Sequence, residues 1–419
     1  MYHVTLWHFT ISVPHMVAYT AALMAAPMAV ALVDFVGAIQ LWFHRSEKRG
    51  EPCDDFVILV PIFNHMRYLK NVEYLARYSD KVVLCTTKHE SAEFYRGINK
   101  VCKTYGFQQH RSDLDLHQQQ GNIVRNPWKI FHHILDHAEY KQVVAEEGRE
   151  ALLIENTVRI NAPYAIFLDG DTVCETGLAQ VIGDFKAREY DLASVRILPS
   201  SAKTLAEHMQ QIEYRLAMDA RKLYPWLTSG ACMVAKTDVL QHALRNHSHF
   251  FQGGDIEIGK ISRMLGYNVG HLETEFRTVV PSTTRAWFRQ RVAWSSGDFR
   301  HAIVNFSSYS WRHPFFFLYF TVVVYGMLPL RIWTAVTHPL VIPVVIAVYW
   351  ILLFTFRWKY RGWQLFVLPF YGLLNALVIT PLGIFVYFQT TWRHRNAGII
   401  RLRDEPRRWV LARILYAGE

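Results

Sequence analysis

The sequence predicts an α/β domain with a mostly parallel sheet, set between apolar segments long enough to cross a membrane. Three observations carry this. Short β-rich runs alternate with helical patterns between about residues 54 and 312, which is how a parallel sheet covered by helices reads. Apolar stretches of bilayer length, roughly 20 residues each, stand on both sides of that region. The pair Asp169-Gly170-Asp171 follows the strand-like run Tyr164-Ala165-Ile166-Phe167-Leu168 directly, and open α/β sheets bind ligands at such strand ends.

The first apolar segment runs from about Met16 to Phe43. It has no signal-cleavage pattern and is long for a signal core, so it reads as a retained anchor. His44, Arg45, Lys48 and Arg49 follow it, and no Lys or Arg precedes it. The positive-inside rule therefore places the N-terminus outside and the next domain in the cytosol. In that domain Phe56–Val60, ending at Pro61, Lys81–Cys85 and Tyr164–Leu168 read as strands, and Leu69–Arg77 and Pro127–Tyr140 as helices. Leu205, Met209, Ile212 and Leu216 form a helical stripe expected in the core.

Pro314–Val336 and Leu340–Phe356 are joined by a very short link and read as a membrane hairpin, with Arg357, Lys359 and Arg361 returning the chain to the cytosol. Gln364–Gln389 is apolar but interrupted by Pro369, Gly372, Asn375, Pro381 and Gly383. The tail after it carries Arg393, Arg395, Arg401, Arg403, Arg407, Arg408 and Arg413, a charge bias that favours the cytosol. A bent or re-entrant segment reconciles the two. The expected organisation is thus an anchor over 1–50, a cytosolic domain with interfacial helices over 51–312, and membrane helices with a basic tail over 313–419.

A formal charge of +10 and an isoelectric point near 9.3 call for an anionic partner, and nucleic acid, anionic lipid and sugar nucleotides all qualify. The basic residues thicken beside the apolar segments, which favours the membrane over nucleic acid. Cys53, Cys85, Cys102, Cys174 and Cys232 stand far apart with no CxxC spacing, so neither a disulfide framework nor a zinc site is indicated. The expected spans hold only Asp34 and Arg331 as charges, too few to line a transport path. Intact acidic motifs argue against an inactive scaffold.

Asp169 and Asp171 flank a small residue at a strand end, and close carboxylates repel one another unless a cation or proton intervenes. Mg2+ or Mn2+ would supply that cation and bridge to a diphosphate. An ordinary solvated turn is the alternative. Gly253-Gly254-Asp255-Ile256-Glu257 reads as a loop entering a helix, where acids also serve simply as caps. Gln290-Arg291-Val292-Ala293-Trp294 lies in a run where Trp287, Phe288 and Val292 alternate with Arg285, Arg289 and Arg300, as in an interfacial helix.

Taken in order, with apolar segments around them, these three motifs resemble those of the membrane-embedded family 2 glycosyltransferases, the group that holds hyaluronan, chitin and cellulose synthases. The resemblance covers about residues 54–312 and implies a GT-A-like catalytic domain. It implies that Asp169 and Asp171 hold the metal and that Asp255 deprotonates the acceptor hydroxyl, with inversion at the anomeric carbon. Val60-Pro61-Ile62-Phe63-Asn64 is similar to the family's opening segment beside the nucleotide, so Pro61 and Asn64 are donor-side candidates. Thr228-Ser229-Gly230-Ala231-Cys232 is similar to its acceptor-side segment, which makes Gly230 a candidate. Processive members carry arginine where this chain has Ala293. Gln290 and Trp294 are kept, and the neighbouring Arg291 is the candidate for the diphosphate. The aspartate that binds the nucleobase is replaced by Cys85-Thr86-Thr87, and only the resemblance itself points to a UDP-linked donor.

On this reading the partners are a nucleotide sugar, a carbohydrate acceptor and the lipid bilayer, with no nucleic acid. Four spans are few for a polymer channel, which leaves room for an oligomer. The product would be a growing polysaccharide, exported in some members. The alternative is single transfer to a polyprenyl-phosphate or other lipid acceptor, which needs the three aspartates but neither Gln290 nor Trp294.

Overall fold

The computed structural model describes residues 2–6, 9–13, 49–62, 65–87, 90–112, 162–245, 254–304, 319–356, 360 and 362–393. The anchor expected over Met16–Phe43, the helix expected over Pro127–Tyr140, the candidate Asn64 and the tail from residue 394 lie outside them. The chain divides into two compact units, one formed by Met1–Arg45 with Thr284–Gln389 and the other by Ser46–Thr283 with Thr390–Glu419.

In the first unit, β1 (Tyr2–Leu6) and β2 (Phe9–Val13) pair as an antiparallel hairpin. The second unit is built on an eight-stranded sheet. Its elements are β3 (Phe56–Pro61), α1 (Val72–Leu75), β4 (Val82–Thr87), α2 (Ala92–Tyr105), β5 (Gln108–Ser112), β6 (Tyr164–Leu168), β7 (Thr172–Cys174), α3 (Leu178–Ala187), β8 (Leu192–Pro199), α4 (Leu205–Leu223), β9 (Cys232–Lys236), α5 (Thr237–Arg245), α6 (Gly254–Met264) and β10 (Val269–Thr278). The strand order is β5-β4-β3-β6-β9-β8-β10-β7. β5, β4, β3 and β6 are parallel, β9 is antiparallel to both β6 and β8, β10 is parallel to β8, and β7 closes the edge antiparallel to β10. This is a mixed, Rossmann-like α/β fold. Because only β7 and β9 run against the rest, the carboxyl ends of β3, β4, β6, β8 and β10 share one edge.

The three strand-like runs of the sequence are β3, β4 and β6. Ile58, Val60, Val82, Leu84, Ile166 and Leu168 enter one core with Ile98, Phe185 and Phe276. The helix expected over Leu69–Arg77 is not a single helix. Met66–Tyr68 and Ala76–Tyr78 are 3-10 turns flanking the four-residue α1. The reason is local: the N–H groups of Lys70 and Asn71 donate to the carbonyl of Gly170, a residue distant in sequence. α4 fulfils the expected stripe at Met209 and Ile212, which are buried, but Leu205 is 59 % exposed. Leu205 is the first residue after the Thr204 cap, and that cap is completed by Glu207 in a capping box.

Ser194 and His271 face each other across β8 and β10, with Ser194 Oγ and His271 Nδ1 2.8 Å apart. Burial, then the positive charges of Arg221, Lys222, Arg196 and Arg188, push the His271 pKa down from 6.5 to about 3. The folded chain therefore keeps His271 neutral, while the unfolded chain takes up a proton below about pH 6.5. Stability is full above that pH and falls as pH drops towards about 3. The linkage amounts to about 2 kcal/mol between pH 7 and pH 5, from ~1.4 kcal/mol per unit. His271→Gln should remove this increment from the pH dependence of chemical unfolding. An identical dependence in the variant would show that His271 is not responsible.

The remaining helices belong to the first unit: α7 (Thr284–Val304), α8 (Leu328–Thr337), α9 (Val341–Phe356), α10 (Gln364–Leu374) and α11 (Thr380–Arg393). Gln364–Gln389 is one unbroken helical run of 26 residues, and it is the helix among the described residues long and apolar enough to cross a membrane. No re-entrant loop forms within it. Pro369 stays inside α10, and a π-helical turn at Asn375–Ile379 follows it before α11. Val323–Thr337 and Val341–Thr355 are apolar but shorter. Arg331 on α8 is buried, and its guanidinium donates to the carbonyls of Val323 and Val324, where the π-helix Tyr319–Gly326 ends. It satisfies freed backbone carbonyls rather than lining a path.

Candidate active site

The site candidates of the second unit gather at the carboxyl edge of the sheet. β6 ends at Leu168, and the next four residues form a β-turn closed by the Thr172 N–H on the Asp169 carbonyl at 3.1 Å. Gly170 occupies the tip. A Cβ there would lie 3.1 Å from the Tyr68 carbonyl oxygen and 3.3 Å from Leu69 Cδ1, so the segment before α1 presses on the turn. Asn71, which is buried, clamps it: its Nδ2 donates to the carbonyls of Asp169, at 3.0 Å, and Thr172, at 2.7 Å. Thr278, the last residue of β10, donates its hydroxyl to Asp171 Oδ1 at 3.2 Å. Both carboxylates are half-buried, held by backbone that the clamp has made rigid.

One short segment ties this turn to the second acidic motif. The Asp169 N–H donates to the Ala231 carbonyl at 3.0 Å. The neighbouring Gly230 N–H donates to Asp255 Oδ2 at 2.7 Å. Ser229 steadies the segment by accepting the Ala231 N–H at 3.3 Å. Asp169, Gly230 and Asp255, which the sequence places tens of residues apart, thus meet through three consecutive residues.

Asp255 stands in the first turn of α6 and is half-buried, whereas Glu257 is completely buried. Thr228 donates its hydroxyl to the Asp255 carbonyl, so both the backbone and the side chain of Asp255 are gripped by 228–230. Gly259, one turn on, lets α6 lie against this loop: a Cβ there would sit 2.2 Å from the Trp226 carbonyl oxygen and 2.8 Å from Thr228 Oγ1. Gly259→Ala must therefore push α6 off the loop and carry Asp255 with it. We expect about 1–3 kcal/mol of destabilisation, the usual cost of overpacking, together with reduced transfer. A melting temperature and rate equal to wild type would show that the loop yields freely.

One arginine close to this region lies outside the motifs. Arg221, in the last turn of α4, senses the charge of Asp255; burial lowers its pKa, and Asp255 and then Tyr214 oppose that shift. Asn71, Thr278 and Gly259 were likewise missed, although Gly259 sits two residues past the quoted run Gly253–Glu257.

Pro61 ends β3 at the same edge. Cys85 and Thr86, at the position of the absent aspartate, are fully buried within β4. The third motif lies on α7, in the other unit. There Arg291 donates to Gln290 Oε1 at 2.8 Å, and its guanidinium carbon lies 4.2 Å from the centre of the Trp294 ring. The three candidates of this motif form one cluster. α7 packs on the apolar helices of its own unit: Trp287 meets Tyr371 at 5.5 Å, Phe299 meets Tyr387 at 5.4 Å, and Gly383 leaves the space that Ser295 fills.

Two half-buried carboxylates with oxygen-only chemistry suit Mg2+ or Mn2+ completed by water and a diphosphate. Among the described residues no group of three or more His, Cys, Asp or Glu gathers to hold a metal on protein ligands alone. The donor set fits a substrate-bridging cation and not a structural metal.

The family model described as glycosyl transferase family group 2 matches residues 164–389, more than half of the chain. The chain belongs to this glycosyltransferase family. Its matched region spans the acidic turn, Asp255, the α7 motif and the long apolar helix. No curated protein sequence matches the chain significantly. Among solved structures, this glycosyltransferase is similar to the mannosyltransferase PcManGT from Pyrobaculum calidifontis in complex with GDP-Man and Mn2+, at 14% identity and a TM-score of 0.49, covering 93% of this chain and 98% of that one. It is also similar to glucosyl-3-phosphoglycerate synthase from Mycobacterium tuberculosis in complex with Mn2+ and UDP, at 9% identity and a TM-score of 0.33, covering 57% and 77%. A third is S. aureus TarS 1-349, at 10% identity and a TM-score of 0.34, covering 80% and 91%. Likeness at this level does not extend to donor or acceptor.

Proposed function

We propose that this protein is a membrane-bound, inverting glycosyltransferase that moves a sugar from a nucleotide diphosphate, UDP being the first choice, to a carbohydrate acceptor at the cytosolic face. The observation that carries this is the 229–231 segment, which fastens the Asp169 turn to Asp255: the Ala231 carbonyl accepts the Asp169 N–H, and the Gly230 N–H donates to the Asp255 carboxylate. Transfer needs a diphosphate site beside a carboxylate base, and the link between the Asp169 turn and Asp255 supports that reading.

Asp169 and Asp171 would hold a divalent cation, which when bound offsets the negative charge of the departing diphosphate. Asp255 takes the proton of the acceptor hydroxyl. The hydroxyl oxygen then bonds to the anomeric carbon on the face opposite the diphosphate, the carbon–oxygen bond to the diphosphate breaks, and its electron pair leaves with the nucleotide. Pro61 and Asn64 are assigned to the donor, Gly230 to positioning the base, Arg291 to the diphosphate, and Gln290 and Trp294 to the acceptor. Apolar α8–α11 supply the membrane attachment, and repeated transfer with export of a polysaccharide is the fuller form of this reading.

Membranes containing the full chain, incubated with a panel of radiolabelled sugar nucleotides and Mn2+, test it. Label should pass from one donor into a carbohydrate product. Release of free sugar alone from every donor, or no turnover of any, would overturn the reading.

A further inference from the structure

Three of the four carbonyls in the turn from Asp169 to Thr172 are taken up by one dipeptide. The N–H groups of Lys70 and Asn71 donate to the Gly170 carbonyl at 2.5 and 3.1 Å. Asn71 Nδ2 donates to those of Asp169, at 3.0 Å, and Thr172, at 2.7 Å. For Asn71 this displaces an ordinary role. It stands at the N-cap of α1, where an asparagine commonly turns its Oδ1 onto the N–H groups of its own helix, yet no side-chain cap bond forms. Its Oδ1 is buried without a hydrogen-bond partner, an arrangement that costs stability. The reverse orientation of the amide would set Oδ1 against two carbonyl oxygens, so its partners fix it as it stands.

An asparagine that leaves its own helix uncapped and its own carbonyl unmatched is placed for the turn. The turn needs it for an electrostatic reason. The half-buried carboxylates of Asp169 and Asp171 repel one another while no cation lies between them, and an unrestrained turn relaxes by drawing them apart. A turn held closed keeps them where a cation requires them, so less of the binding energy goes into reassembling the site. We propose that Asn71 is a positioning residue that sets the affinity of the site for its divalent cation. It does so without touching the cation, by locking the backbone that carries both carboxylates. This rests on Asp169 and Asp171 being the ligands of the cation.

The test is equilibrium binding of Mn2+ to the full chain in detergent, with UDP present, read from the electron paramagnetic resonance signal of free Mn2+. Asn71→Leu, close in volume and without donors, should weaken Mn2+ binding roughly tenfold to a hundredfold, the usual effect of removing an outer partner of a metal site. Asn71→Ala, which makes no demand on packing, should show the same loss if the leucine variant does not fold. The affinity belongs to the folded molecules, so partial unfolding lowers the number of sites and leaves it unchanged. In transfer assays the Mn2+ concentration giving half the maximal rate should rise by the same factor, while the rate at saturating Mn2+ stays close to wild type. Wild-type Mn2+ affinity in either folded variant, whatever its saturating rate, would overturn the proposal and leave Asn71 as ordinary support for the fold. Asp171→Asn scores the reading beneath: if it binds Mn2+ as wild type does, the cation is held elsewhere and the proposal falls with that reading. If it loses Mn2+ while Asn71→Leu keeps it, the proposal alone fails.

Discussion

Asp255→Asn is expected to lower sugar transfer by ~10²–10⁴-fold, the usual contribution of a positioned general base, while binding of the nucleoside diphosphate and its cation stays near wild type. The geometry explains the separation. Oδ2 is occupied by the Gly230 N–H at 2.7 Å, and no described residue bonds Oδ1, which leaves one carboxylate oxygen for the acceptor hydroxyl. An asparagine can keep the Gly230 bond through its carbonyl oxygen, so shape is preserved and only basicity is lost. Glu257 is the rival two positions on. It is completely buried, and residues two apart on a helix do not face the same target. Glu257→Gln should therefore alter stability and retain transfer. The reverse pattern, transfer lost in folded Glu257→Gln and kept in Asp255→Asn, would exchange the two roles.

What could be read from the sequence was what local pattern encodes. Phe56–Val60, Lys81–Cys85 and Tyr164–Leu168 announce themselves as β-rich, mostly apolar runs because parallel strands are buried on both faces. Asp169 and Asp171 stand out because a strand-like run precedes them and two further motifs follow; alone, Asp-Gly-Asp reads equally as an ordinary turn. The antiparallel course of β9 between β6 and β8 was not legible, since period and composition carry no direction. Nor was the Asn71 clamp: its partners lie about a hundred residues away, and Asn71 falls inside the run Leu69–Arg77 that reads as a helix. That same long-range bonding is why Leu69–Arg77, helical by spacing, breaks into turns. In the apolar region the breakers of Gln364–Gln389 were visible, but a π-turn and a re-entrant loop use the same residues.

Removal of divalent cation by excess chelator is expected to abolish transfer, and Asp171→Asn to reduce it on the order of 10³-fold, since the cation's share of transition-state stabilisation is several kcal/mol. Asp171 is held by its place in the turn and by the Thr278 hydroxyl on Oδ1 at 3.2 Å. The asparagine form keeps that oxygen and removes the charge. Thr278→Val provides the graded comparison. It deletes one hydrogen bond to a charged carboxylate, worth about 1.5–3 kcal/mol, and should slow transfer roughly tenfold to a hundredfold while the carboxylate remains. Added Mn2+ should restore part of the activity of Thr278→Val, whose site is intact but less ordered, and none of that of Asp171→Asn. Binding of a nucleoside diphosphate should depend on Mn2+ in wild type and lose that dependence in Asp171→Asn. Transfer that continues in excess chelator, or Mn2+-dependent nucleotide binding unchanged in Asp171→Asn, would return the Asp169–Asp171 pair to an ordinary solvated turn.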